Sequence, residues 1–200
     1  TARGQAAQNF LQLGPEEKVS TVISLRELKP AKFLVMVTKK GVIKKVELSA
    51  FESVRRSGLI AIRLKGDDLL QWVKPSGGND EVILTSKDGK AIRFREKDIR
   101  AMGRVAAGVR GMRLKGRDAI VGMDLISKEM EHAKWLVITD KGFGKCTNLS
   151  SYRLQGRGGS GVKTAKVTPK TGEVIQAFSI DLKNFPEGAT GDLLIVSNNG

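Results

Sequence analysis

The chain is poor in the residue types that most catalytic and redox sites need. Its 200 residues include one cysteine, one histidine and one tyrosine, and aromatic residues make up only 5%. A lone cysteine cannot form an internal disulfide, which fits a reducing cytoplasm. A lone histidine cannot build a histidine metal cluster. The longest apolar run, Phe33–Val37, is far shorter than the roughly 20 residues of a membrane span. We therefore expect a cytoplasmic protein that does not insert into a membrane.

Positive charge, in contrast, is abundant. The chain carries 35 Lys and Arg against 21 Asp and Glu, a net charge of +14. Such an excess predicts an anionic partner, for which nucleic acid and acidic membrane surfaces are the usual candidates. Residues 84–118 hold 11 basic and 4 acidic groups, so half of the excess lies in one short central stretch. Hydrophobic residues make up 40%, which favours a folded core over a disordered basic tail.

An apolar run followed by a glycine turn recurs four times. The runs are FLVMVTKKG, EVILTSKDG, WLVITDKGF and DLLIVSNNG, with turn glycines at Gly41, Gly89, Gly142 and Gly200. Runs rich in Val, Ile and Leu favour strands, and a glycine can take the positive φ of a tight hairpin turn. The pattern predicts a β-hairpin in each copy, with VIKKVEL and KAIRFRE as return strands.

A second element alternates with the hairpins. It is a glycine-containing loop that leads into a short alternating strand, with copies at Gly4, Gly58, Gly108 and Gly161. An apolar anchor lies between hairpin and loop, at Phe51, Ile99 and Tyr152. About four short strands in roughly fifty residues are typical of a propeller blade. The alternative is a single β-sandwich with chance internal similarities.

We therefore predict an all-β fold, a β-propeller or β-pinwheel of about 50-residue four-stranded blades. The predicted segments are the end of one blade at 1–32, blades at 33–80, 81–134 and 135–191, and the start of another at 192–200. The chain is expected to be a piece of a longer protein, and either further blades follow in that protein or this piece forms an open arc.

One glycine loop carries a resemblance to a known family. The stretch QGRGGSG is similar to the gyrase A box, QRRGGKG, at five of seven positions, and lacks the second-position Arg and the Lys. Its residues are Gln155, Gly156, Arg157, Gly158, Gly159, Ser160 and Gly161. KAIRFRE, GRVAAGVRGMRLKG and KGFGKCTNLSSYRLQGRGGSGV also resemble repeats of the DNA gyrase A C-terminal domain. The ordered set of repeats extends this resemblance over essentially all 200 residues.

The resemblance implies a β-pinwheel with strands exchanged between neighbouring blades. Its basic perimeter would wrap duplex DNA and present it to a cleavage core, so that strand passage introduces negative supercoils. The domain would be non-catalytic and free of cofactors, within an ATP-dependent topoisomerase that associates with the nucleoid. Its partners would be DNA, the rest of the gyrase A protein and, through it, the gyrase B protein in a heterotetramer. The A protein of the related topoisomerase IV has more degenerate repeats, so gyrase is the better match.

Within that family the box lies in the first blade, so the Gln155–Gly161 loop would be a degenerate copy in a later blade. Glycine loops let backbone N–H groups approach phosphates closely, and neighbouring cations release counterions when they neutralise phosphates. The candidate DNA-binding residues beside the loops are Arg55, Arg56, Arg104, Arg110, Arg113, Arg157 and Lys163. Those on the return strands are Lys44, Lys45, Arg93, Arg95 and Lys145. For each of them the alternative is an ordinary solvated surface charge.

The return strands also predict a difference between blades. Lys45 and Arg93 occupy the same repeat position, which Cys146 fills in the third unit. We therefore expect the third blade to bind DNA more weakly.

Other candidate sites have simpler structural explanations. The carboxylates of Gly66-Asp67-Asp68 and Arg117-Asp118 fall in equivalent turns, which favours a turn role over metal binding. GRGGSG at 156–161 has the glycine spacing of a nucleotide loop, but no helical pattern follows it. Tyr152 occupies the position of Phe51 and Ile99, so we expect a packing residue rather than a cleavage tyrosine. Trp72 and Trp135 lie in apolar strands and are expected in the core, whereas His132 is expected to be exposed.

Two other functions remain open at the level of sequence. A protein-interaction propeller could use the same cations to bind an acidic partner, and it would be expected to expose aromatic and apolar residues on one face. An enzyme could hold its site in a propeller's central channel, but no catalytic constellation is visible in the sequence.

Overall fold

The computed structural model describes residues 22–24, 28–53, 58–130 and 132–181. The predicted elements at Gly4 and Gly200, and the candidates Arg55 and Arg56, lie outside the described residues. The described part is an all-β structure, as the repeats predict. Its strands are β1 (Phe33–Thr38), β2 (Val42–Glu47), β3 (Leu70–Ser76), β4 (Glu81–Ser86), β5 (Lys90–Arg95), β6 (Val109–Arg110), β7 (Ile120–Ile126), β8 (Lys134–Thr139), β9 (Gly144–Asn148), β10 (Val162–Lys163) and β11 (Val174–Ile180).

Short 3-10 helices connect some of these strands. They span Leu48–Phe51, Glu96–Asp98, Lys128–Met130 and Leu149–Ser151. Among the described residues, no helix is long and apolar enough to cross a membrane.

The strands form three antiparallel sheets. The strand orders are β3-β1-β2-β6, β10-β5-β4-β7 and β11-β8-β9. Each sheet is built on a predicted hairpin, and the turn glycines Gly41, Gly89 and Gly142 have φ angles of 81°, 75° and 76°. At position 41 glycine is also required sterically, because a Cβ there would lie 2.9 Å from the backbone oxygen of Met112.

The fourth strand of the first two sheets comes from the following sequence unit. β6 pairs with β2, and β10 pairs with β5. The glycine before each of these short strands lets the two backbones meet. A Cβ on Gly108 would lie 2.8 Å from the Ile43 oxygen, and one on Gly161 would lie 2.4 Å from the Ala91 oxygen. Units predicted as separate blades therefore exchange strands, as the family resemblance implies.

The core lies between the sheets in two clusters. Strand β4 contributes to both of them because successive side chains point to opposite faces. Val82 and Leu84 pack in the cluster between the first and second sheets, and Ile83 packs in the cluster between the second and third. This arrangement, with both faces of a sheet buried, explains why the β4 run is continuously apolar rather than alternating.

The predicted packing residues lie in these clusters. Ile99 and Tyr152 are buried, in the first and second cluster respectively, which confirms the packing role of Tyr152. Trp135 is completely buried, and its indole N–H donates to Thr85 Oγ1 at 2.9 Å. Trp72 packs against the first cluster.

Strands β3, β7 and β11 form the inner edges of the sheets, where β7 packs against both of the others. Asp124 of β7 accepts a hydrogen bond from Lys74 Nζ of β3 at 2.5 Å. It also accepts one from the Ser179 hydroxyl of β11 at 2.5 Å. One buried carboxylate thus joins all three sheets at their inner edges. The exchanged strands β6 and β10 lie at the opposite, outer edges.

Candidate nucleic-acid interface

The glycine loops of successive units dock on one another along the outer edge. The Arg63 N–H donates to the Ala106 oxygen at 3.3 Å, and the Arg113 N–H donates to the Gly159 oxygen at 2.8 Å. Both bonds join the same pair of repeat positions in consecutive units. We call the surface formed by residues 58–65, 103–115 and 155–166 the outer rim.

Exposed cations recur at equivalent positions of the outer rim. Arg110 in β6 and Lys163 in β10 are both exposed, and each pairs across the ladder with the residue after a hairpin turn. Arg113 is exposed, as are Arg63 in the unit before it and Lys166 in the unit after it. The structure therefore places one candidate from the sequence, Arg113, in a row of three equivalent cations.

Sequence reasoning missed several members of the rim. Arg63 and Lys166, together with the exposed lysines Lys65 and Lys115, were not among the candidates. A signal existed, because the register of the glycine loops aligns Arg63 with Arg113 and Arg113 with Lys166. The alternating strand after each loop carries further cations at equivalent positions, and the candidate set includes only some of them.

Arg157 ties two parts of the rim together. Its Nε donates to the Asp98 oxygen at 3.0 Å, and one terminal nitrogen donates to the Arg110 oxygen at 3.2 Å. The adjacent Gly158 N–H donates to the Gly111 oxygen at 2.6 Å. These bonds bring Arg157 close to Arg110, so the box-like loop of the third unit and the exchanged strand of the second form one cationic surface.

The same loop is partly buried. Gly156 and Arg157 are exposed, whereas Gln155, Gly159 and Ser160 are only partly accessible. The Gln155 N–H donates to the Arg93 oxygen at 2.9 Å, which anchors the loop to β5. Docking of the loop between units is therefore visible, and its identity as a degenerate box stays a prediction.

A cleft of about 550 Å³ opens between the first hairpin turn and the outer rim. Five cationic side chains line it, at Lys40, Arg63, Lys65, Arg110 and Arg113. Asp68 also lines the cleft, so the five cations leave an excess of positive charge, which favours an anionic partner.

Lys44 does not reach this surface. Its side chain is fully buried, with 0% exposure, and its Nζ donates to the backbone oxygens of Ala61, Arg104 and Ala106. Burial lowers the pKa of this ammonium group. The prediction that Lys44 contacts DNA is therefore wrong for this structure: the side chain holds two glycine loops of the rim against β2.

Lys45 and Arg93 are also engaged inside the protein. The Lys45 ammonium lies 3.5 Å from Glu96 Oε1, and both side chains are buried. The Arg93 guanidinium donates to Glu81 Oε2 at 2.5 Å and to the Leu149 oxygen at 2.7 Å. Lys45 is therefore not free for a phosphate, which corrects that prediction. Arg93 is held by these internal bonds but also lines the second cleft, so its contact with DNA stays a prediction, as does the weaker DNA binding expected at Cys146.

The remaining candidates differ in their surroundings. Arg104 is half-buried and Lys145 is exposed, and the Lys145 Nζ donates to the Thr164 oxygen at 3.3 Å beside β10. Arg95 is exposed but lies away from the outer rim. It lines a second cleft of about 690 Å³ together with Asp80 and other charged groups of both signs.

Asp80 is perturbed within that second cleft. Burial raises the pKa of this carboxyl, and the neighbouring Glu96 carboxylate raises it further. The carboxylates of Asp80 and Glu81 thus offset part of the positive charge in this cleft.

The turn carboxylates serve the hairpins, as the sequence predicts. Asp68 Oδ1 accepts from the Lys40 N–H at 2.9 Å, and Asp118 Oδ1 accepts from the Asp88 N–H at 3.0 Å. In the part of the chain that the structure describes, no group of three His, Cys, Asp or Glu could hold a metal ion. His132 is exposed, as predicted.

Blade-like sheets, strands exchanged at the outer edge and a rim of repeated cations together define a β-propeller of the pinwheel kind. The family model of the DNA gyrase C-terminal domain, a beta-propeller, matches residues 32–76, 80–127 and 133–181. The chain belongs to this family, which confirms the resemblance seen in the sequence.

Individual relatives agree with this assignment. The DNA gyrase A protein of Staphylococcus epidermidis is 36% identical over 200 residues, which are 100% of this chain and 22% of that protein. The DNA gyrase A protein of Lawsonia intracellularis is 40% identical over 184 residues, 92% of this chain and 22% of that protein. The chain thus spans about a fifth of the length of the curated relatives it matches.

Solved structures show the same fold. A DNA gyrase A C-terminal domain has a TM-score of 0.77 at 28% identity, covering 90% of this chain and 59% of that chain. The C-terminal domain of DNA topoisomerase IV has a TM-score of 0.75 at 23% identity, covering 90% of this chain and 71% of that chain.

Proposed function

We propose that the outer rim binds, bends and wraps duplex DNA without reading its sequence. The observation that carries this proposal is the recurrence of exposed cations at equivalent rim positions in successive units, as at Arg63, Arg113 and Lys166. Duplex DNA presents a regular series of phosphates, about one charge per 1.7 Å of axis. A series of cations that recurs from unit to unit can contact successive phosphates without reading the bases.

The energetics permit bending. Curving 20–30 base pairs by 40–90° costs on the order of 1–6 kcal/mol. Each charge-assisted hydrogen bond to a phosphate is stronger than a neutral one, and the rim offers several in every unit. Repeated contacts can therefore offset the cost of bending.

We further propose the role of this surface in a larger enzyme. The wrapped segment is presented to the cleavage core of a DNA gyrase, so that strand passage introduces negative supercoils. The domain itself is non-catalytic and needs no cofactor. Its proposed protein partners are the rest of the gyrase A protein and the gyrase B protein, in a cytoplasmic heterotetramer associated with the nucleoid.

Topological measurement tests the wrapping directly. The 200-residue chain is added to nicked circular DNA, the nick is ligated, the protein is removed and the linking number is determined. We expect a shift that grows with the protein-to-DNA ratio at low salt. If no shift occurs across the titration, the chain does not wrap DNA.

The salt dependence of binding tests the rim. Log affinity should fall with log salt by about 0.9 for each phosphate that the protein neutralises. The double variant Arg110→Ala/Arg113→Ala should flatten this slope, because both side chains are exposed on the rim. Lys97→Ala/Lys128→Ala is the matched control, since these two exposed lysines line the second cleft. An unchanged slope in the double variant would remove the rim arginines from the DNA site.

A protein-interaction propeller remains the second candidate. Large exposed apolar residues do exist, among them Ile60 and Val105 at 66% and 60% exposure on the rim loops. They are interspersed with the cations rather than gathered on a separate face, so the charge pattern favours DNA over an acidic protein.

A further inference from the structure

Lys45 and Arg93 occupy the same place in two successive sheets. Lys45 lies in β2 and Arg93 lies in β5, each in the return strand of its hairpin. The backbone at each position already reaches the next unit. The Lys45 oxygen accepts from the Met102 N–H at 2.9 Å, and the Arg93 oxygen accepts from the Gln155 N–H at 2.9 Å.

The two side chains extend the same connection. The Lys45 Nζ donates to the Glu96 backbone oxygen at 3.3 Å, in the 3-10 helix Glu96–Asp98. The Arg93 guanidinium donates to the Leu149 oxygen at 2.7 Å, in the 3-10 helix Leu149–Ser151. In each case a cation of one unit satisfies a carbonyl in the short helix of the following unit.

The surroundings make both connections stiff. The side chains of Lys45 and Glu96 are only 7% and 0% exposed, and Ser76 Oγ donates to the Glu96 carboxylate at 2.5 Å. The Arg93 side chain is 18% exposed, and Glu81 holds it through two nitrogens. Charge-assisted hydrogen bonds shielded from water are strong and directional.

We infer that Lys45 and Arg93 are positioning residues that set the orientation of each sheet on the next, and with it the path of DNA around the outer rim. A rotation of one unit against its neighbour would pull the helix carbonyl away from the cation. The bend of bound DNA follows the relative placement of the rim cations, so the two residues act on DNA without touching it. This inference rests on the wrapping function proposed above.

The test separates binding from wrapping. Arg93→Met removes the connection to the next unit while keeping an unbranched apolar stem. Lys128→Met is the matched control, because it removes one exposed positive charge and Lys128 has no part in the rim. The double variant Lys45→Met/Glu96→Gln removes the first connection together with its buried partner, so that no unpaired charge remains. For each protein the salt slope of binding and the linking-number shift at saturation are measured.

We expect Arg93→Met and the double variant to keep the salt slope of Lys128→Met and to give a smaller linking-number shift. If the unmodified chain gives a clear linking-number shift and both variants give a shift of the same size, the inference is wrong. A flattened salt slope in Arg93→Met relative to Lys128→Met would also overturn it, because Arg93 would then be a phosphate contact. No shift in the unmodified chain would contradict the wrapping function itself, independently of these residues.

Folding is checked in parallel by far-ultraviolet circular dichroism and thermal melting. Arg93→Lys is the conservative variant, since it keeps the charge but loses the fork that reaches Glu81 and the next unit together. For Arg93→Lys we expect a linking-number shift that lies between that of Arg93→Met and that of the unmodified chain. If neither Arg93 variant folds, the residue serves folding rather than orientation, and the inference is wrong.

Discussion

At the scale of single residues, the surroundings of each cation decide what it does. Lys44 and Arg110 both lie in strands next to a glycine loop, yet one is fully buried and the other is exposed. The buried ammonium compensates its lost hydration by donating to three backbone oxygens, as a desolvated charge must. The exposed guanidinium keeps its hydrogen-bonding capacity for a partner outside the protein.

The glycines of the exchanged strands allow a prediction at this scale. Gly161→Ala should destabilise the fold by about 1–3 kcal/mol, because its φ is +71° and a Cβ would lie 2.4 Å from the Ala91 oxygen. Gly156→Ala in the same loop is the control, since a Cβ there meets no heavy atom within 4 Å. Urea unfolding monitored by circular dichroism measures the stability of both variants. Equal stability of the two variants would show that β10 is not held against β5 in this way.

At the scale of elements, the hairpin is the unit that repeats most faithfully. The backbone oxygens of Gly41 and Gly89 each accept two N–H groups from the residues that directly follow the exchanged strand of the next unit. Each hairpin thus anchors a strand of the next unit through backbone atoms alone. This connection does not depend on the identity of the side chains. The side chains of Lys45 and Arg93 supplement these backbone connections. Cys146 in β9 is exposed, and its side chain is too short to form a corresponding connection.

The turn carboxylates give the prediction for this scale. Asp68→Ala should cost about 1–3 kcal/mol of folding free energy, because the buried Asp68 carboxylate accepts from the Lys40 and Leu69 N–H groups. Asp67→Ala is the matched control one residue away. Asp67 forms an exposed ion pair with Lys40, which water and salt screen, so we expect a much smaller loss of stability for this variant. Thermal melting of both variants is the measurement, and a larger loss at Asp67 would contradict the turn role of Asp68.

At the scale of the whole molecule, the sheets are joined at both edges. Exchanged strands and docked loops join the outer edges, and Asp124 joins the inner edges through Lys74 and Ser179. Both cores lie between sheets rather than within one, so no sheet buries its apolar faces alone. Each sheet therefore depends on its neighbours for stability, as in other repeat folds.

Asp124→Ala should accordingly destabilise the assembly of sheets by about 1.5–3 kcal/mol, the range for hydrogen bonds to a charged group. Glu129→Ala is the control, because it removes one negative charge from an exposed position. Urea unfolding followed by both Trp fluorescence and circular dichroism reports on the cores and on the strands. Stability equal to that of Glu129→Ala would mean that the inner edges hold together without Asp124.

The sequence by itself determined the repeat period, the hairpins and their glycine turns, the packing of Tyr152 and the family. These features depend on local chemistry, namely strand propensity, positive φ and the order of short motifs, which a single chain displays directly. Only the tertiary structure decided which cations face outward. Lys44 is buried by carbonyls that include those of Arg104 and Ala106, in a loop of the following unit, and no local pattern reports such a contact. The exposure of a residue depends on what packs over it from elsewhere in the chain. The set of exposed rim cations is therefore fixed by the packing of the units against one another.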